Sequence, residues 1–445
     1  MTFILMASIL MASILMTSVL MTSILMTAIY LVEFVNFILY NQDMNIPHAV
    51  LALLVDYSKA FNRICHNRIV TILSRMGVPG WLLKIVMGFL TERELIVRYL
   101  GKQSGRKWLP GGSPQGTRLG LFLFLILINF AGYEELNRKL GEQITTIKNK
   151  RTNIPNIHLK FVDDLTLAES FNLRDYVIPN PDPCPPRPLS YHNRTLHVVP
   201  PGNTPVQAEL HRMVQYCEMN KMKINSEKTK VVLFNTARNF DFMPRLSMDG
   251  NTDLEVVEEF RLLGIHFQTN MSWQTNTDNI CKNGYARIWM LRRLKRLGAN
   301  HSDLLDVYCK QIRCVLELAV VVWTPGLTKL ESSQIERVQK CALHVILGQS
   351  YESYDEATRI LGLEKLHERR LKLCLSFAKR CEKSPKYSTW FRLSESPPPT
   401  NIQTRATRNN QRTKYMTVPA RTDRYDKSPL PFMTKLLNEY YAKKK

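Results

Sequence analysis

Two adjacent carboxylates, Asp163 and Asp164, interrupt the apolar stretch LKFVDDLTLA at residues 159–168. Unpaired charge is costly in an apolar strand, so this pair requires either a cation or a solvated turn. In a continuous strand the two side chains would point to opposite faces. A tight turn between two short strands would instead hold both carboxylates at the tip of a hairpin, and we predict that arrangement. A solvated acidic pair on the surface is the alternative.

A third carboxylate, Asp56, ends the apolar run AVLALLV at residues 49–55, which is typical of a buried strand. Three carboxylates that converge from separate strands form an oxygen-rich site suited to Mg²⁺. Two such ions can activate an attacking oxygen and stabilise a leaving oxygen in phosphoryl transfer. Asp56, Asp163 and Asp164 are therefore candidate metal ligands and catalytic residues.

Periodicity predicts further elements around these carboxylates. Two helices and a glycine-rich turn follow Asp56, and the turn leads into an uncharged helix too short to cross a membrane. A proline-dense stretch predicts an inserted surface loop, because proline disrupts helices and central strands. The segments are the helices HNRIVTILSRMG (66–77) and VPGWLLKIVMGFLT (78–91), the turn LPGGSPQGTRLG (109–120), the core helix at 119–131, the insertion at 178–205, the strand KTKVVLFN (228–235) and the strand pair EEFRLLGIHFQ (258–268).

Residues 1–40 form a hydrophobic pentad repeat with no charge before Glu33. A five-residue period builds no polar helix face, and the apolar length suffices for a membrane span. Membrane association through residues 1–40 is one interpretation, and a translated tandem repeat without a membrane role is the other. A signal peptide fits poorly because no basic segment precedes the repeat.

The formal net charge of +22 and the sequence pI near 9.6 favour a polyanionic partner such as nucleic acid. Nine cysteines without a C-x-x-C pair predict reduced, buried thiols in an intracellular protein, with neither a zinc site nor a disulfide framework.

The chain after residue 280 is helical and basic. In ARIWMLRRLKRLG, at residues 286–298, apolar residues recur at helical spacing, and Gly298 ends the helix, while Ser302 can cap the next. The intervening basic residues are Arg292, Arg293, Lys295 and Arg296. Such a face predicts salt-sensitive contact with a nucleic-acid backbone, and a surface helix with ion pairs is the alternative. Residues 397–445 form a polar basic tail that is predicted to be flexible.

These segments, in this order, resemble the reverse transcriptases of non-LTR retrotransposons of the LINE-like and jockey-like kind. The resemblance covers residues 46–268 and continues more loosely to residue 383. The segments that carry it are LLVDYSKAFNRICHNRI for motif A, LPGGSPQGTRLG for motif B, KFVDDLTL for motif C, NKMKINSEKTKVVLF for motif D and EEFRLLGIHF for the primer-grip hairpin.

The resemblance implies an α+β right-hand polymerase palm, with an antiparallel sheet backed by helices, followed by a mostly helical thumb and connection region at residues 280–383. It implies RNA-directed DNA synthesis, in which a primer 3′-hydroxyl attacks the α-phosphate of a deoxynucleotide. Asp56, Asp163 and Asp164 would hold two Mg²⁺ ions, or Mn²⁺. The implied partners are an RNA template, a DNA primer and dNTPs.

Further roles follow from the same resemblance. Phe61 matches the aromatic residue beneath the nucleotide sugar, and Gln115 with Gly116 matches the turn that contacts the incoming nucleotide. Lys228 matches the motif D lysine, a candidate proton donor to the leaving pyrophosphate. Lys223 and Lys230 lie close enough in sequence to compete for that role.

Fewer than 50 residues precede Val50, where the family places a fingers region that grips the nucleotide. We therefore expect an N-terminally truncated polymerase located in the nucleus or cytoplasm. A second hypothesis is a catalytically inactive retroelement fragment that still binds nucleic acid.

Overall fold

The chain forms two compact units, each described by itself. The sheet unit comprises residues 49–233 and 237–257, and the helical unit comprises residues 1–48, 234–236 and 258–445. The computed structural model describes residues 25–45, 48–58, 60–109, 111–114, 117–130, 157–161, 164–172, 197–199, 204–235, 242–250, 252–394 and 414–444.

Among the described residues, the first eleven strands belong to the sheet unit, and the last two strands form one hairpin in the helical unit. They are β1 (His48–Val55), β2 (Arg93–Leu95), β3 (Arg98–Tyr99), β4 (Lys102–Gln103), β5 (Lys107–Leu109), β6 (Ile157–Phe161), β7 (Asp164–Asn172), β8 (His197–Val199), β9 (Lys230–Phe234), β10 (Phe242–Pro244), β11 (Glu255–Val256), β12 (Glu259–Leu262) and β13 (Ile265–Gln268).

The helices are α1 (residues 25–42), α2 (His66–Arg75), α3 (Gly80–Leu90), α4 (Arg118–Phe130), α5 (Pro205–Met219), α6 (Gln274–Arg296), α7 (His301–Val307), α8 (Cys314–Leu316), α9 (Val320–Trp323), α10 (Lys329–Leu347), α11 (Tyr354–Ile360), α12 (Leu366–Lys383), α13 (Asp423–Asp426) and α14 (Pro429–Ala442). A π-helical turn, Tyr308–Arg313, precedes α8, and short 3₁₀ turns lie at Ala60–Arg63, Thr324–Gly326, Gly348–Ser350 and Ser388–Trp390.

The sheet unit is built on a five-stranded sheet with the order β11-β9-β1-β7-β6. Strand β1 is central because its apolar residues are buried on both faces; Val50, Leu51 and Leu53 are fully buried. Strands β6 and β7 are antiparallel, but β11 and β9 are parallel. The sheet is therefore mixed and not wholly antiparallel, because the chain returns to this edge through a long connection instead of a tight hairpin.

Helices α2, α4 and α5 contribute to one hydrophobic core with β1 and β7. The buried apolar side chains of this core include Ile69, Leu73, Phe124, Leu127 and Leu210. The helices predicted at residues 66–77 and 78–91 are confirmed, and Gly77 follows α2 in the left-handed conformation (φ 80°). The helix predicted at 119–131 is also buried along one side.

Part of the insertion predicted at residues 178–205 is regular structure. Strand β8 lies within it and pairs in parallel with β10. Helix α5 starts at Pro205, and Thr204 is its N-cap, since the Thr204 side-chain oxygen accepts from the Gln207 N–H at 3.1 Å. Residues 178–196 and 200–203 of the predicted insertion lie outside the described residues.

The helical unit confirms the helical prediction after residue 280 and the strand pair before it, since β12 and β13 are antiparallel. Helix α6 is followed by Gly298 at φ 87°, as predicted. The prediction that Ser302 caps the next helix is wrong. Asn300 caps α7, because its side-chain oxygen accepts from the Asp303 N–H at 2.9 Å and asparagine is as good an N-cap as serine.

Helix α1 packs inside the helical unit, where Leu31, Val32, Phe34 and Ile38 are fully buried. The Phe34 ring contacts the Phe267 ring edge to face, with centroids 5.8 Å apart. Among the described residues, no helix combines the length and the apolar character needed to cross a membrane. Residues 1–24 of the pentad repeat lie outside the described residues.

The C-terminal segment corrects the prediction of a flexible tail. Residues 414–444 are ordered because one side of α14 is apolar, with Met433 and Leu437 fully buried. Asn438 exchanges two 2.9 Å hydrogen bonds with the Tyr415 backbone. The rest of the predicted tail, residues 397–413, lies outside the description.

The cysteines in the described residues are free thiols, as predicted. The prediction that they are buried is wrong for Cys314 and Cys341, which are exposed, and for Cys65 and Cys309, which are half-buried.

Candidate active site

Asp56 directly follows β1, and one other segment, the turn at residues 224–229, holds its backbone. Its N–H donates to the Thr229 hydroxyl oxygen at 3.3 Å, and its carbonyl oxygen accepts from the Asn225 N–H at 2.8 Å. Tyr57 forms an antiparallel bridge with Ile224. The Asp56 side chain is half-buried, so a carboxylate stands at the end of the central strand on a fixed backbone.

The hairpin predicted around the adjacent carboxylates is confirmed in its two strands. Phe161, at the end of β6, lies opposite Asp164, the first residue of β7. Because β7 is the neighbour of β1, Asp56 and Asp164 lie at ends of adjacent strands. Asp163 lies outside the described residues.

The donor chemistry of these residues fits a divalent cation. Carboxylate oxygens are the ligands that Mg²⁺ and Mn²⁺ take. Within the described part of the chain, no three His, Cys, Asp or Glu residues form a group that could hold a metal ion. Two of the three expected carboxylates, those of Asp56 and Asp164, belong to described residues. The binding of a metal ion by all three carboxylates stays a prediction.

Phe61 lies in the 3₁₀ turn after Asp56 and is half-buried. Its ring stacks on the Phe124 ring of α4, with centroids 4.6 Å apart and an interplanar angle of 30°. This contact fixes one face of the ring against the core. The predicted contact of Phe61 with a nucleotide sugar stays a prediction.

The glycine-rich turn packs tightly against the segment that follows Asp56. The Gly112 N–H donates to the Ile64 carbonyl at 2.9 Å, and the Ser113 N–H donates to the Phe61 carbonyl at 2.8 Å. Gly112 has φ 80°, and a Cβ there would lie 2.9 Å from the Asn62 Cα. The position therefore requires glycine for both conformation and space. Gln115 and Gly116 lie outside the described residues.

Arg93 and His66 hold this turn, and the sequence gives no signal for either contact. The Arg93 guanidinium donates to the carbonyls of Gly111 and Gly112 at 2.8 and 2.6 Å. His66 Nε2 lies 2.8 Å from the Gly112 carbonyl oxygen and donates to it. Burial lowers the pKa of Arg93. These two side chains, with Lys221, also line a cavity of about 1030 Å³ beside the turn.

The structure narrows the choice of motif D lysine. Lys230 forms an ion pair with Glu255, which occupies its amine. Lys228 lies in the exposed turn between Asn225 and Thr229, the two residues that hold the Asp56 backbone. This position favours Lys228 over Lys230, and its role as a proton donor stays a prediction.

Helix α6 of the helical unit carries part of the predicted basic face. Arg292, Arg293 and Arg296 are exposed, and the Arg293 guanidinium lies 5.5 Å from the centroid of the exposed Trp289 ring. Lys295 instead donates to the carbonyls of Val345 and Ile346, at 2.6 and 3.1 Å. Its amine thus satisfies the C-terminal carbonyls of α10 and is not part of an exposed face.

Sequence comparison assigns these features to a known class. Residues 29–267 match the family described as reverse transcriptase (RNA-dependent DNA polymerase). The chain belongs to the reverse transcriptase family, and this confirms the predicted fold class and the nucleotidyltransferase enzyme class of the family. The match starts within α1, upstream of the boundary at residue 46 that the resemblance gave. A comparison with curated proteins finds no match.

Among solved structures, the chain is similar to telomerase from two yeasts. Candida albicans telomerase in complex with a TWJ fragment of telomeric RNA is 10% identical, with 81% of this chain and 53% of that chain covered and a TM-score of 0.32. The corresponding Candida tropicalis complex is 10% identical, with 80% and 50% covered and a TM-score of 0.35. Apo telomerase from Candida tropicalis is 9% identical, with 80% and 53% covered and a TM-score of 0.34. The chain spans about half the length of these telomerase chains.

Proposed function

We propose that this chain is the polymerase region of a non-LTR retrotransposon protein, of the LINE-like or jockey-like kind, and that it copies an RNA template into DNA. The observation that carries the proposal is the setting of Asp56, at the end of the central strand of the family's sheet and beside the strand that begins with Asp164. The order of the five motifs supports the non-LTR origin.

The chemistry proposed is attack of the primer 3′-hydroxyl on the α-phosphate of a dNTP, with release of pyrophosphate. Asp56, Asp163 and Asp164 would hold two Mg²⁺ ions, or Mn²⁺, which when bound supply charge stabilisation for the attacking and leaving oxygens. The chain's own backbone contacts keep Asp56 in place, because Asn225 and Thr229 restrain the residue from both sides.

Other residues of the sheet unit position the nucleotide and move a proton. Phe61, fixed against Phe124, presents an edge that disfavours a 2′-hydroxyl. Lys228 donates a proton to the pyrophosphate oxygen as it leaves. Gln115 and Gly116 contact the incoming nucleotide. The basic helices of the helical unit bind the backbone of the primer–template duplex.

The protein is proposed to act inside the cell, in the nucleus or cytoplasm, where its template is available. Free thiols in the described residues are consistent with a reducing compartment. Membrane association through residues 1–40 is a separate proposal, and flotation of the full chain with vesicles tests it. A chain without residues 1–24 that floats equally well would contradict a membrane role for the part of this segment that precedes α1.

Primer extension on an RNA template tests the polymerase activity directly. The full chain is compared with Asp163→Asn/Asp164→Asn and with Glu218→Gln, which changes an exposed carboxylate of the same unit. We expect the double variant to lose extension by about 10³-fold and the control to retain it, because only the first pair would hold the ions.

The second hypothesis, an inactive fragment that binds nucleic acid, predicts a different result. The unaltered chain would bind the primer–template duplex in a salt-sensitive manner but would not extend it under any divalent cation. The basic, exposed face of α6 is the observation that favours retained binding. Extension that persists in the double variant would contradict both hypotheses, because the chain would then be active and its activity would not depend on Asp163 or Asp164.

A further inference from the structure

The β-ribbon, residues 93–109, is an exposed two-stranded element of the sheet unit. Strands β2 and β5 pair at its base, and β3 and β4 pair at its tip. Between the two pairs, the Ser104 N–H donates to the Val97 carbonyl at 2.9 Å, and the Ser104 hydroxyl accepts from the Val97 N–H at 2.9 Å. One backbone bond and one bond to a side-chain hydroxyl therefore join the two short ladders, whose registers differ by one residue.

The β-ribbon exposes more apolar surface than its own folding requires. The exposed fraction is 74% for Tyr99, 61% for Trp108 and 84% for Leu100. Leu100 and Gly101 form the turn at the tip with φ 46° and 77°, a conformation that leucine rarely adopts. Asn-Gly would suit a purely structural turn of this kind better. An exposed leucine held in this conformation suggests a contact with a partner.

The β-ribbon is also strongly basic. It contains five basic side chains and one carboxylate. Arg93 holds the glycine-rich turn, and Arg106 pairs with the carboxylate of Glu94 at 3.5 Å. The other three cations, on Arg98, Lys102 and Lys107, are exposed. Lys102 lies directly opposite Tyr99 in the ladder, so a cation and an aromatic ring share one face. Trp108 lies opposite Glu94 and therefore on the other face of the ribbon, the face to which Arg98 also belongs.

We propose that the β-ribbon binds single-stranded nucleic acid, with bases stacked on Tyr99 and Trp108 and phosphates contacted by Arg98, Lys102 and Lys107. Exposed rings beside cations match a polymer that alternates flat bases with negative charge. A duplex hides the faces of its bases, so the rings favour an unpaired strand. The surface is separate from the carboxylates of the candidate active site, and binding to it requires no polymerase activity.

Stacking is tested by the affinity of the full chain for labelled oligonucleotides of mixed sequence, as single-stranded RNA, single-stranded DNA and blunt duplex. Tyr99→Ala/Trp108→Ala is expected to weaken binding to single strands by roughly 10- to 100-fold and to leave duplex affinity unchanged. The control, Met219→Ala/Leu393→Ala, removes two similarly exposed apolar side chains outside the ribbon and is expected to change neither affinity. Thermal unfolding confirms that each variant is folded.

The phosphate contacts are tested by the dependence of affinity on salt. Arg98→Gln/Lys102→Gln/Lys107→Gln is expected to reduce the slope of log affinity against log salt by about 2 for single strands, at roughly 0.7 for each contact. Lys427→Gln/Lys435→Gln/Lys443→Gln removes the same charge from the C-terminal segment and is expected to leave the slope unchanged.

A higher affinity for RNA than for DNA in these measurements would identify the ribbon's ligand as RNA. Equal affinities would show that the ribbon does not distinguish ribose from deoxyribose. Both results support the proposal. Unchanged single-strand affinity in Tyr99→Ala/Trp108→Ala overturns it and leaves a surface for protein partners. Equal losses for single strand and duplex overturn it as well, because stacking would then contribute nothing.

Discussion

The candidate active site of the sheet unit and the C-terminal segment of the helical unit use hydrogen bonds differently. At the candidate site the bonds engage backbone atoms: Arg93 and His66 hold the Gly112 carbonyl, and Asn225 holds the Asp56 carbonyl. In the C-terminal segment, beside the two bonds between Asn438 and the Tyr415 backbone, a cluster of bonds links side chains to one another. The Glu382 carboxylate accepts from the Lys414 amine at 2.9 Å, from the Tyr441 hydroxyl at 2.7 Å and from the Tyr415 hydroxyl.

The difference teaches which polar groups serve structure and which remain available for chemistry. Although burial opposes it, hydrogen bonds from Lys414, Tyr415 and Tyr441 lower the pKa of Glu382, and they commit that carboxylate to holding α14. At the end of the central strand, the glycine-rich turn and the turn between Asn225 and Thr229 form a frame around Asp56 that is held by backbone contacts and does not use the Asp56 carboxylate. Substitutions that strain the frame should therefore cost more than loss of a single bond in the side-chain cluster.

The largest effect is expected from Gly112→Ala, which strains the frame. A Cβ at this position would meet the Asn62 Cα and the Phe61 carbonyl at 2.9 Å, and the backbone would remain left-handed. We expect the free energy of unfolding to fall by about 4 kcal/mol, from the left-handed conformation together with overpacking against backbone atoms. Denaturant unfolding monitored by circular dichroism measures this change.

Gly77→Ala is the matched control for that prediction. Gly77 has the same φ of 80°, but nothing lies within 4 Å of its added Cβ. Its expected cost is about 1 kcal/mol, from conformation alone. Equal costs for Gly77 and Gly112 would show that the turn relaxes freely, and the frame would then not be rigid.

A second prediction concerns Glu169, a carboxylate of the sheet unit that serves structure. It accepts from the Val206 N–H at 2.8 Å at the start of α5, and burial raises its pKa to about 7, against the opposing effect of that hydrogen bond. The folded protein therefore binds this proton more tightly than the unfolded chain. Stability from this group is full below pH 4.5 and is lost as the pH rises to about 7, by about 3 kcal/mol.

Glu169→Gln tests this linkage, since glutamine keeps an acceptor for Val206 and does not titrate. The measurement is the free energy of unfolding of both proteins between pH 4.5 and pH 8. We expect the variant to gain stability relative to the unaltered chain as the pH rises. A difference between the two proteins that is independent of pH would contradict the raised pKa of Glu169.

The sequence correctly predicts elements that a local residue pattern specifies. It fails where a contact between residues far apart in the sequence determines the structure. The apolar run before Asp56 and the spacing of Ile69 and Leu73 predict β1 and α2 correctly, because hydrophobic period alone specifies them. The two strands around Asp163 and Asp164 are predicted from the cost of buried charge.

The failures have a shared physical cause. Asn300 and Ser302 are both acceptable caps, and only the path of the chain decides between them. Arg93 is 18 residues from Gly111, and its partner is a carbonyl that any residue type could supply. Lys295 was expected on a binding face, but its partners belong to a helix about 50 residues away. Contacts of this kind leave no periodicity in the sequence.

The smallest effect is expected from Tyr441→Phe in the side-chain cluster. The change removes the hydroxyl that donates to Glu382 but keeps the ring, whose centroid lies 3.7 Å from the Lys414 amine. Because Lys414 and Tyr415 still engage the carboxylate, we expect a loss of about 1 kcal/mol in the free energy of unfolding. Tyr440→Phe is the control, since it removes a hydroxyl from the neighbouring half-buried tyrosine of α14 and leaves the bonds to Glu382 intact. If Tyr441→Phe lowered the free energy of unfolding as much as Gly112→Ala, the side-chain cluster would be as sensitive to substitution as the backbone frame.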